Sequence, residues 1–123
     1  MARNTQQKTV IRHVFEETGR PMSASEVFEN SRKILGRIGI ATVYRNLRIL
    51  LDDGWLTVVS LPGEPNRYEK AGKGHHHHFV CHGCQRVFEV AVCASDLRRM
   101  TPSGFQMERH EVVLWGRCAE CAE

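Results

Sequence analysis

The residues most able to do chemistry lie in one short segment, residues 75–84, which begins with four consecutive histidines and ends with Cys81-His82-Gly83-Cys84. A second cysteine pair, Cys118 and Cys121, has the same two-residue gap. Two such pairs are typical of a tetrahedral zinc site with four sulfur ligands. The spacing therefore predicts a structural zinc site.

The second half of the chain is small, and the fifth cysteine lies within it. At about 50 residues, a lobe has only a marginal apolar core, whereas a structural zinc contributes on the order of 10–16 kcal/mol of apparent binding free energy. We therefore expect the four-cysteine site to stabilise the fold of this lobe. Cys93 is interpreted as a small buried apolar residue, as unpaired cysteines often are.

The four histidines predict further metal binding. If residues 75–78 form a strand, alternate side chains point to opposite faces, so His76 and His78 face one way and His75 and His77 the other. One strand could then serve two metal sites, each completed by ligands from elsewhere. A mixed nitrogen and oxygen ligand set suits iron(II), manganese, zinc or nickel. The candidate additional ligands are Glu69, Glu89, Asp96 and His110.

Composition and charge limit the function classes. The 123 residues include 17 basic and 14 acidic ones, with a net charge of +3, and the positive charge is concentrated in the first half. No apolar run approaches the roughly 20 residues that span a bilayer. The N-terminus has no apolar signal core, which predicts a cytoplasmic location. There, paired cysteines hold metal more often than they form disulfides.

The first half has the pattern of a winged helix-turn-helix lobe: three short helices and then a two-stranded hairpin. Thr5 is predicted to cap the first helix, and Ser23 with Glu26 forms a capping box at the start of the second. The third helix is predicted over residues 41–52 and the strands over 55–59 and 67–69. The second half is predicted to alternate short strands with one helix over 95–100. The fold class is therefore α+β.

The third helix is the predicted DNA-reading element, because in this arrangement it enters the major groove. Arginine can bind guanine O6 and N7 in bidentate fashion, and tyrosine and threonine can contact thymine methyl groups or phosphates. The alternative is an ordinary solvated helix face. Lys8 is either a phosphate contact or a plain surface lysine. The exposed positions concerned on the third helix are Thr42, Tyr44, Arg45 and Arg48.

The chain resembles the ferric uptake regulator family of metal-dependent bacterial repressors. The likeness rests on Ala-Thr-Val-Tyr-Arg-Asn-Leu over residues 41–47, on residues 75–84, and on the terminal Cys-x-x-Cys over 118–121. It implies a winged-helix DNA-binding domain over residues 1–70, a hinge over 71–74, and a dimerisation and metal-binding domain over 75–123. Family members act as homodimers on near-palindromic operators.

The resemblance also implies three metal sites and a reading head. The structural zinc maps onto Cys81, Cys84, Cys118 and Cys121. An interlobe regulatory site maps onto Glu69, His76, His78 and Glu89. A second site in the dimerisation lobe maps onto His75, His77, Asp96 and His110. Tyr44 and Arg45 match base-reading positions, and Lys8 matches a basic position in the first helix.

Three features depart from the family pattern. Pro21 stands where many members have a regulatory histidine. His77 stands where iron-sensing members often have aspartate, which shifts the ligand set toward nitrogen and hence toward zinc or nickel. The segment from Glu89 to His110 is about one helical turn shorter than in longer members, which bears directly on the assignment of Asp96.

The residues together with the resemblance imply a metal-responsive repressor that binds palindromic DNA as a homodimer, with a structural zinc and a second divalent ion. Zinc and iron are the favoured regulatory ions, with manganese or nickel as alternatives. A peroxide sensor with the same fold and a zinc-stabilised interaction module are alternative functions. A zinc hydrolase is a further alternative, although no His-Glu-x-x-His motif or similar catalytic pattern is present, and we expect no enzymatic activity.

Overall fold

The computed structural model describes residues 2–93 and 95–123, without the side chains of residues 2–4, 95 and 96. The described chain divides into two compact units, residues 1–73 and 74–123, and the division falls inside the segment predicted as a hinge. No helix in these described ranges is long and apolar enough to cross a bilayer.

The first unit contains three helices and one antiparallel hairpin. The helices are α1 (Ala2–Thr18), α2 (Ala24–Leu35) and α3 (Ile40–Asp52), and the strands are β1 (Leu56–Val59) and β2 (Arg67–Lys70). Residue pairs such as Val58 with Tyr68 set the register of β1 against β2. Tyr68 also exchanges two backbone hydrogen bonds with Met22, at 2.8 and 2.9 Å, which fixes the hairpin to the segment between α1 and α2.

Local chemistry explains where α2 begins. The Ser23 side chain accepts a hydrogen bond from the Glu26 backbone N–H, and the Glu26 carboxylate accepts one from the Ser23 N–H, so the predicted capping box is confirmed. Helix α3 begins one residue before the predicted start. The prediction that Thr5 caps α1 is wrong, because the helix already begins at Ala2.

The hydrophobic core of the first unit lies between the helices and β1. Each helix contributes one buried stripe, because apolar residues recur about every three to four positions. Helix α3 buries Val43, Leu47 and Leu50, each no more than 1% exposed. These residues pack with apolar side chains of α1, α2 and β1, which include Ile11, Val14, Phe15, Val27 and Leu56. This packing leaves the opposite face of α3 exposed.

The second unit is built on a three-stranded mixed sheet. Its strands are β3 (His77–Cys81), β4 (Val87–Val90) and β5 (Val113–Gly116), with a 3-10 helix at Ser95–Met100 between β4 and β5. Strand β3 is central, pairing antiparallel with β4 and parallel with β5. The α+β class is therefore confirmed, and the helix predicted over residues 95–100 is the 3-10 helix at Ser95–Met100.

Candidate metal centres and nucleic-acid surface

The four predicted zinc ligands converge at one end of the sheet in the second unit. Cys81 ends β3, Cys84 follows three residues later, and Cys118 and Cys121 come just after β5. Because β3 and β5 run parallel, the segments that follow them start at the same end of the sheet. The four sulfur atoms all lie within 4.8 Å of one another, in a partly or fully buried cluster.

The donor set of this cluster fits zinc. Four sulfurs about 2.3 Å from one ion stand roughly 3.8 Å apart in a tetrahedron, and the Cys84 and Cys118 Sγ atoms are 3.8 Å apart. Backbone N–H groups of Gly83, Cys84 and Cys118 donate to the Cys81 sulfur at 3.3, 3.5 and 3.3 Å. Such donors stabilise a thiolate, which is the form that binds metal.

The thiols of the cluster have strongly unequal acidity. The hydrogen bond from the Cys118 backbone, with others from the same cluster, lowers the pKa of Cys81 to about 6. Burial raises the pKa of Cys84. Shared hydrogen bonding, first with Cys81, raises the pKa of Cys121 to about 12. Hydrogen-bond donors thus favour the thiolate form of Cys81, whereas burial favours the thiol form of Cys84.

Gly83 makes the close approach of the two cysteine pairs possible. A Cβ atom at this position would lie 2.7 Å from the Cys121 Sγ and 2.8 Å from its Cβ. Both distances are shorter than carbon contacts in well-packed proteins allow. The turn then continues through Gln85, whose φ of 64° is in the left-handed region. The glycine in the first cysteine pair is therefore a steric requirement of the centre.

A second cluster lies on one face of β3 and its flanking residues. The His75 and His77 ring centroids are 4.5 Å apart, and that of His110 is 4.8 Å from the first and 5.2 Å from the second. The His75 and His110 rings approach each other through their Nε2 atoms, which are 3.2 Å apart. This is the set of three histidines that the resemblance assigned to the second site.

The fourth ligand-type side chain of this cluster is Cys93, which sequence reasoning interpreted as an apolar residue. Its sulfur lies 3.0 Å from His110 Nε2 and 3.3 Å from His77 Nε2, and ligand atoms of all four residues lie within 4.8 Å. Asp96, the predicted ligand, has a side chain outside the described residues. One signal in the sequence could have indicated this contact. Cys93 lies in the segment from Glu89 to His110, whose shortening already bears on the assignment of Asp96.

His77 is the buried member of this cluster, only 3% exposed. Burial, with the neighbouring histidines His75 and His110, lowers its pKa below the ordinary 6.5. Its Nδ1 accepts a hydrogen bond from the Val112 backbone N–H at 3.0 Å. That bond requires a lone pair on Nδ1, so the neutral ring carries its proton on Nε2, on the side of Cys93.

The other two histidines occupy the opposite face, as strand alternation predicts. The rings of His76 and His78 have centroids 4.9 Å apart, and His76 Nδ1 is 2.8 Å from the Gly74 carbonyl oxygen. Glu89 pairs in register with His78 across β3 and β4. Glu69 belongs to the first unit, on β2, where the residue is 5% exposed and its carboxylate is 3.8 Å from the Lys73 ammonium.

The position of Pro21 bears on the same regulatory set. Pro21 is fully buried in the first unit, between Arg20 and the Met22 bridge to β2. A proline there has no side-chain donor atom for a metal. Pro21 therefore cannot supply the regulatory metal ligand that a histidine supplies at this position in many members of the resembled family.

The exposed face of α3 carries the predicted DNA-binding residues. Tyr44 is 54% exposed, and Arg45 is exposed with one guanidinium nitrogen donating to the Thr42 hydroxyl at 3.1 Å. Arg48 lies 3.9 Å from Asp52 at a highly exposed position, where such a pair contributes little. The two arginines and the tyrosine therefore form one accessible surface on a rigid helix.

Lys8 lies on α1 and is engaged within the first unit. Its ammonium is 3.1 Å from the Asp53 carboxylate, just after α3, and its side chain is 34% exposed. An ammonium has three donors, so this ion pair leaves others able to reach a phosphate. A phosphate contact by Lys8 stays a prediction.

Comparison with known proteins gives a consistent picture. The model of the Ferric uptake regulator family matches residues 1–115. The Ferric uptake regulation protein of Campylobacter jejuni is 32% identical over 87 residues, which is 68% of this chain and 55% of that protein. This chain thus spans little more than half the length of that relative.

Two solved structures illustrate the likeness of the fold. A zinc-bound manganese uptake regulator is similar with a TM-score of 0.80 and 25% identity, over 91% of this chain and 87% of that one. The ferric uptake regulator of Francisella tularensis, determined with iron, is similar with a TM-score of 0.69 and 27% identity, over 96% and 92% of the two chains.

Gly83→Ala is expected to weaken the four-cysteine centre, because the added methyl group overlaps Cys121. We expect loss of tightly retained zinc after dialysis against a chelator and a lower thermal unfolding midpoint. The matched control is Gly74→Ala, where an added Cβ meets nothing within 4 Å. Equal zinc retention in both variants would contradict the steric role of Gly83.

The lowered pKa of His77 predicts a pH dependence of stability. Below about pH 6.5 the unfolded chain binds a proton that the folded protein excludes, so the free energy of unfolding falls as the pH decreases. One such group gives a slope of at most about 1.4 kcal/mol per pH unit. His77→Asn should flatten this slope in urea unfolding between pH 7 and 5.

The control for this titration is His82→Asn, at an exposed position on the turn between the paired cysteines. It should leave the slope unchanged. An unaltered slope in His77→Asn would show that burial of this ring has no part in the acid sensitivity.

Proposed function

The chain belongs to the ferric uptake regulator family, and on this premise we propose that it represses transcription by binding palindromic operators as a homodimer when a regulatory divalent ion is bound. Proteins of this family are metal-responsive transcriptional regulators and not enzymes. Repression, the operator symmetry, the dimer and the regulatory ion are the parts that we propose for this chain.

The observation that carries the proposal is the division of the histidines by strand β3. His75 and His77 face one way and His76 and His78 the other, each pair with rings in contact. The ring nitrogens that each pair presents can bind a divalent ion. Their position beside, and not within, the four-cysteine cluster supports a role other than structural zinc binding.

We assign the interlobe regulatory set to Glu69, His76, His78 and Glu89, as the family resemblance implies. Glu69 comes from the first unit and the other three from the second, so the set draws its ligands from both sides of the hinge. A divalent ion, zinc or iron, would supply the link among these ligands. The coordinating residues would then restrict the orientation of the DNA-reading unit.

DNA recognition is assigned to the exposed face of α3. Tyr44, Arg45 and Arg48 project from a helix whose other face is fixed by Leu47 and Leu50 in the core, so their positions are set before DNA is bound. Two copies of α3 in a homodimer would read successive major grooves, roughly 34–36 Å apart. Thr42 and Lys8 would add contacts to the phosphate backbone of the DNA.

The second unit offers a surface suited to dimer formation. Strand β5 is an edge of the sheet, and its Leu114 and Trp115 are 45% and 48% exposed. An edge strand with large exposed apolar side chains is normally covered in native proteins. A second copy of the chain would provide that cover.

The direct test is operator binding with and without a regulatory ion. Operators would be selected from random DNA duplexes by protein loaded with zinc or iron(II), and affinities then measured after removal of the more weakly held ion. A coupling of about 1–3 kcal/mol predicts a 5–150-fold loss of affinity. Equal affinities would remove the regulatory claim, although DNA binding itself would stand.

Arg45→Ala is expected to weaken operator binding and to relax base preference at one position in each half-site. A bidentate guanine contact contributes about 1–3 kcal/mol of discrimination, and Tyr44→Ala should add a comparable loss. The charge-matched control is Arg117→Ala, an exposed arginine of the second unit. If Arg45→Ala, Tyr44→Ala and Arg117→Ala all bound the operator with the same affinity, this would mean that α3 does not read DNA.

A further inference from the structure

We propose that Cys93 is the anionic ligand of a second metal centre, together with His75 and His110, in the place that the resemblance gives to Asp96. The inference deepens the metal-binding part of the proposed function and rests on it. It concerns only the second unit, and it changes both the chemistry of the site and the ions that it would select.

The contacts around Cys93 fit a metal centre better than they fit apolar packing. The Cys93 sulfur is 3.0 Å from His110 Nε2, and that nitrogen is 3.2 Å from His75 Nε2. Ligands about 2.0–2.3 Å from a zinc ion stand roughly 3.3–3.6 Å from one another in a tetrahedron. These two separations are already close to those that a shared ion requires, and the donor atoms would move slightly apart on binding.

The charge of the cluster also points to the sulfur. Among the side chains that the structure describes, the ligand-type members of this group are three imidazoles and one thiol. An imidazole coordinates as a neutral ligand, and therefore only the thiolate can offset the charge of a divalent ion within this set. Cys93 thus provides what a carboxylate provides in a site made of histidine and aspartate.

His77 acts in this arrangement as a positioning residue. The Val112 N–H bond to Nδ1 places the ring proton on Nε2, which lies 3.3 Å from the Cys93 sulfur. An N–H donor at that distance stabilises a thiolate and orients it. Coordination by the same nitrogen would require the loss of that proton, so His77 supports Cys93 while His75 and His110 coordinate.

A histidine and thiolate set favours zinc over manganese. Soft thiolate ligands select zinc among the ions considered, whereas manganese prefers carboxylate, carbonyl and water ligands. Cobalt(II) serves as the probe of the site, because a sulfur ligand gives it a charge-transfer absorption that nitrogen and oxygen ligands lack.

The experiment titrates full-length protein, already holding one equivalent of zinc, with cobalt(II) in the ultraviolet and visible range. The wild type should gain a sulfur-to-cobalt band with the added equivalent. Cys93→Ser should lose that band and weaken binding at least about tenfold, the lower end of the loss seen even for residues that only support a ligand. Asp96→Asn, the matched control for a carboxylate ligand, should behave as the wild type.

A second measurement on the wild-type protein makes the test independent of the variants. Alkylation followed by peptide mass spectrometry should find Cys93 protected when a second equivalent of zinc is present and modified after mild chelation, with the other four cysteines protected throughout. Retention of the cobalt band in Cys93→Ser, or its loss in Asp96→Asn, would overturn the inference. Operator binding could still depend on metal in that case, so the two failures are distinguishable.

Discussion

Strand β3 is the element on which the ligand arrangement depends, because successive side chains of a strand point to opposite faces. The segment leading into β3 and the strand itself supply His75 and His77 to one face and His76 and His78 to the other, and the strand ends at Cys81. A shift of one residue in its pairing with β4 or β5 would exchange the two faces. The register of this strand therefore decides which ligands can meet.

The four-cysteine cluster secures that register from one end. The second unit buries few apolar side chains, chiefly Val80 and Val87, whereas the described core cluster of the protein lies in the first unit. The cysteine pairs connect the end of β3 to the segment after β5, which are far apart in sequence. Zinc at this point would hold the parallel pairing of β3 with β5, which the small apolar core by itself supports only weakly.

Much of the architecture could be predicted because its signals are local. The Ser23 and Glu26 capping box, the apolar stripe of α3 and the equal spacing of the cysteine pairs each depend on neighbouring residues. The capping signal at Thr5 was misleading for the same reason, because threonine is a good capping residue that also occurs inside helices. The helix already begins at Ala2, so the local signal had no effect there.

The part of the candidate site that sequence reasoning missed depends on contacts between distant residues. Cys93 comes beside His110 only through the path of the chain between β4 and β5, and spacing alone does not report that path. An unpaired cysteine is usually a small apolar residue, so its type alone favoured apolar packing over contact with the histidines. The Val112 hydrogen bond that sets the His77 tautomer is likewise a product of the tertiary pairing, 35 residues away in sequence.

The most direct measurement of this account is an anomalous-difference map from crystals of the zinc-loaded protein. We predict one zinc peak among the sulfurs of Cys81, Cys84, Cys118 and Cys121, and a separate peak in contact with His75, His110 and the Cys93 sulfur, on the face of β3 that His76 and His78 do not share. A map in which His75 and His76 bind the same ion, or in which no zinc lies within bonding distance of any histidine of residues 75–78, would contradict the division of ligands by this strand.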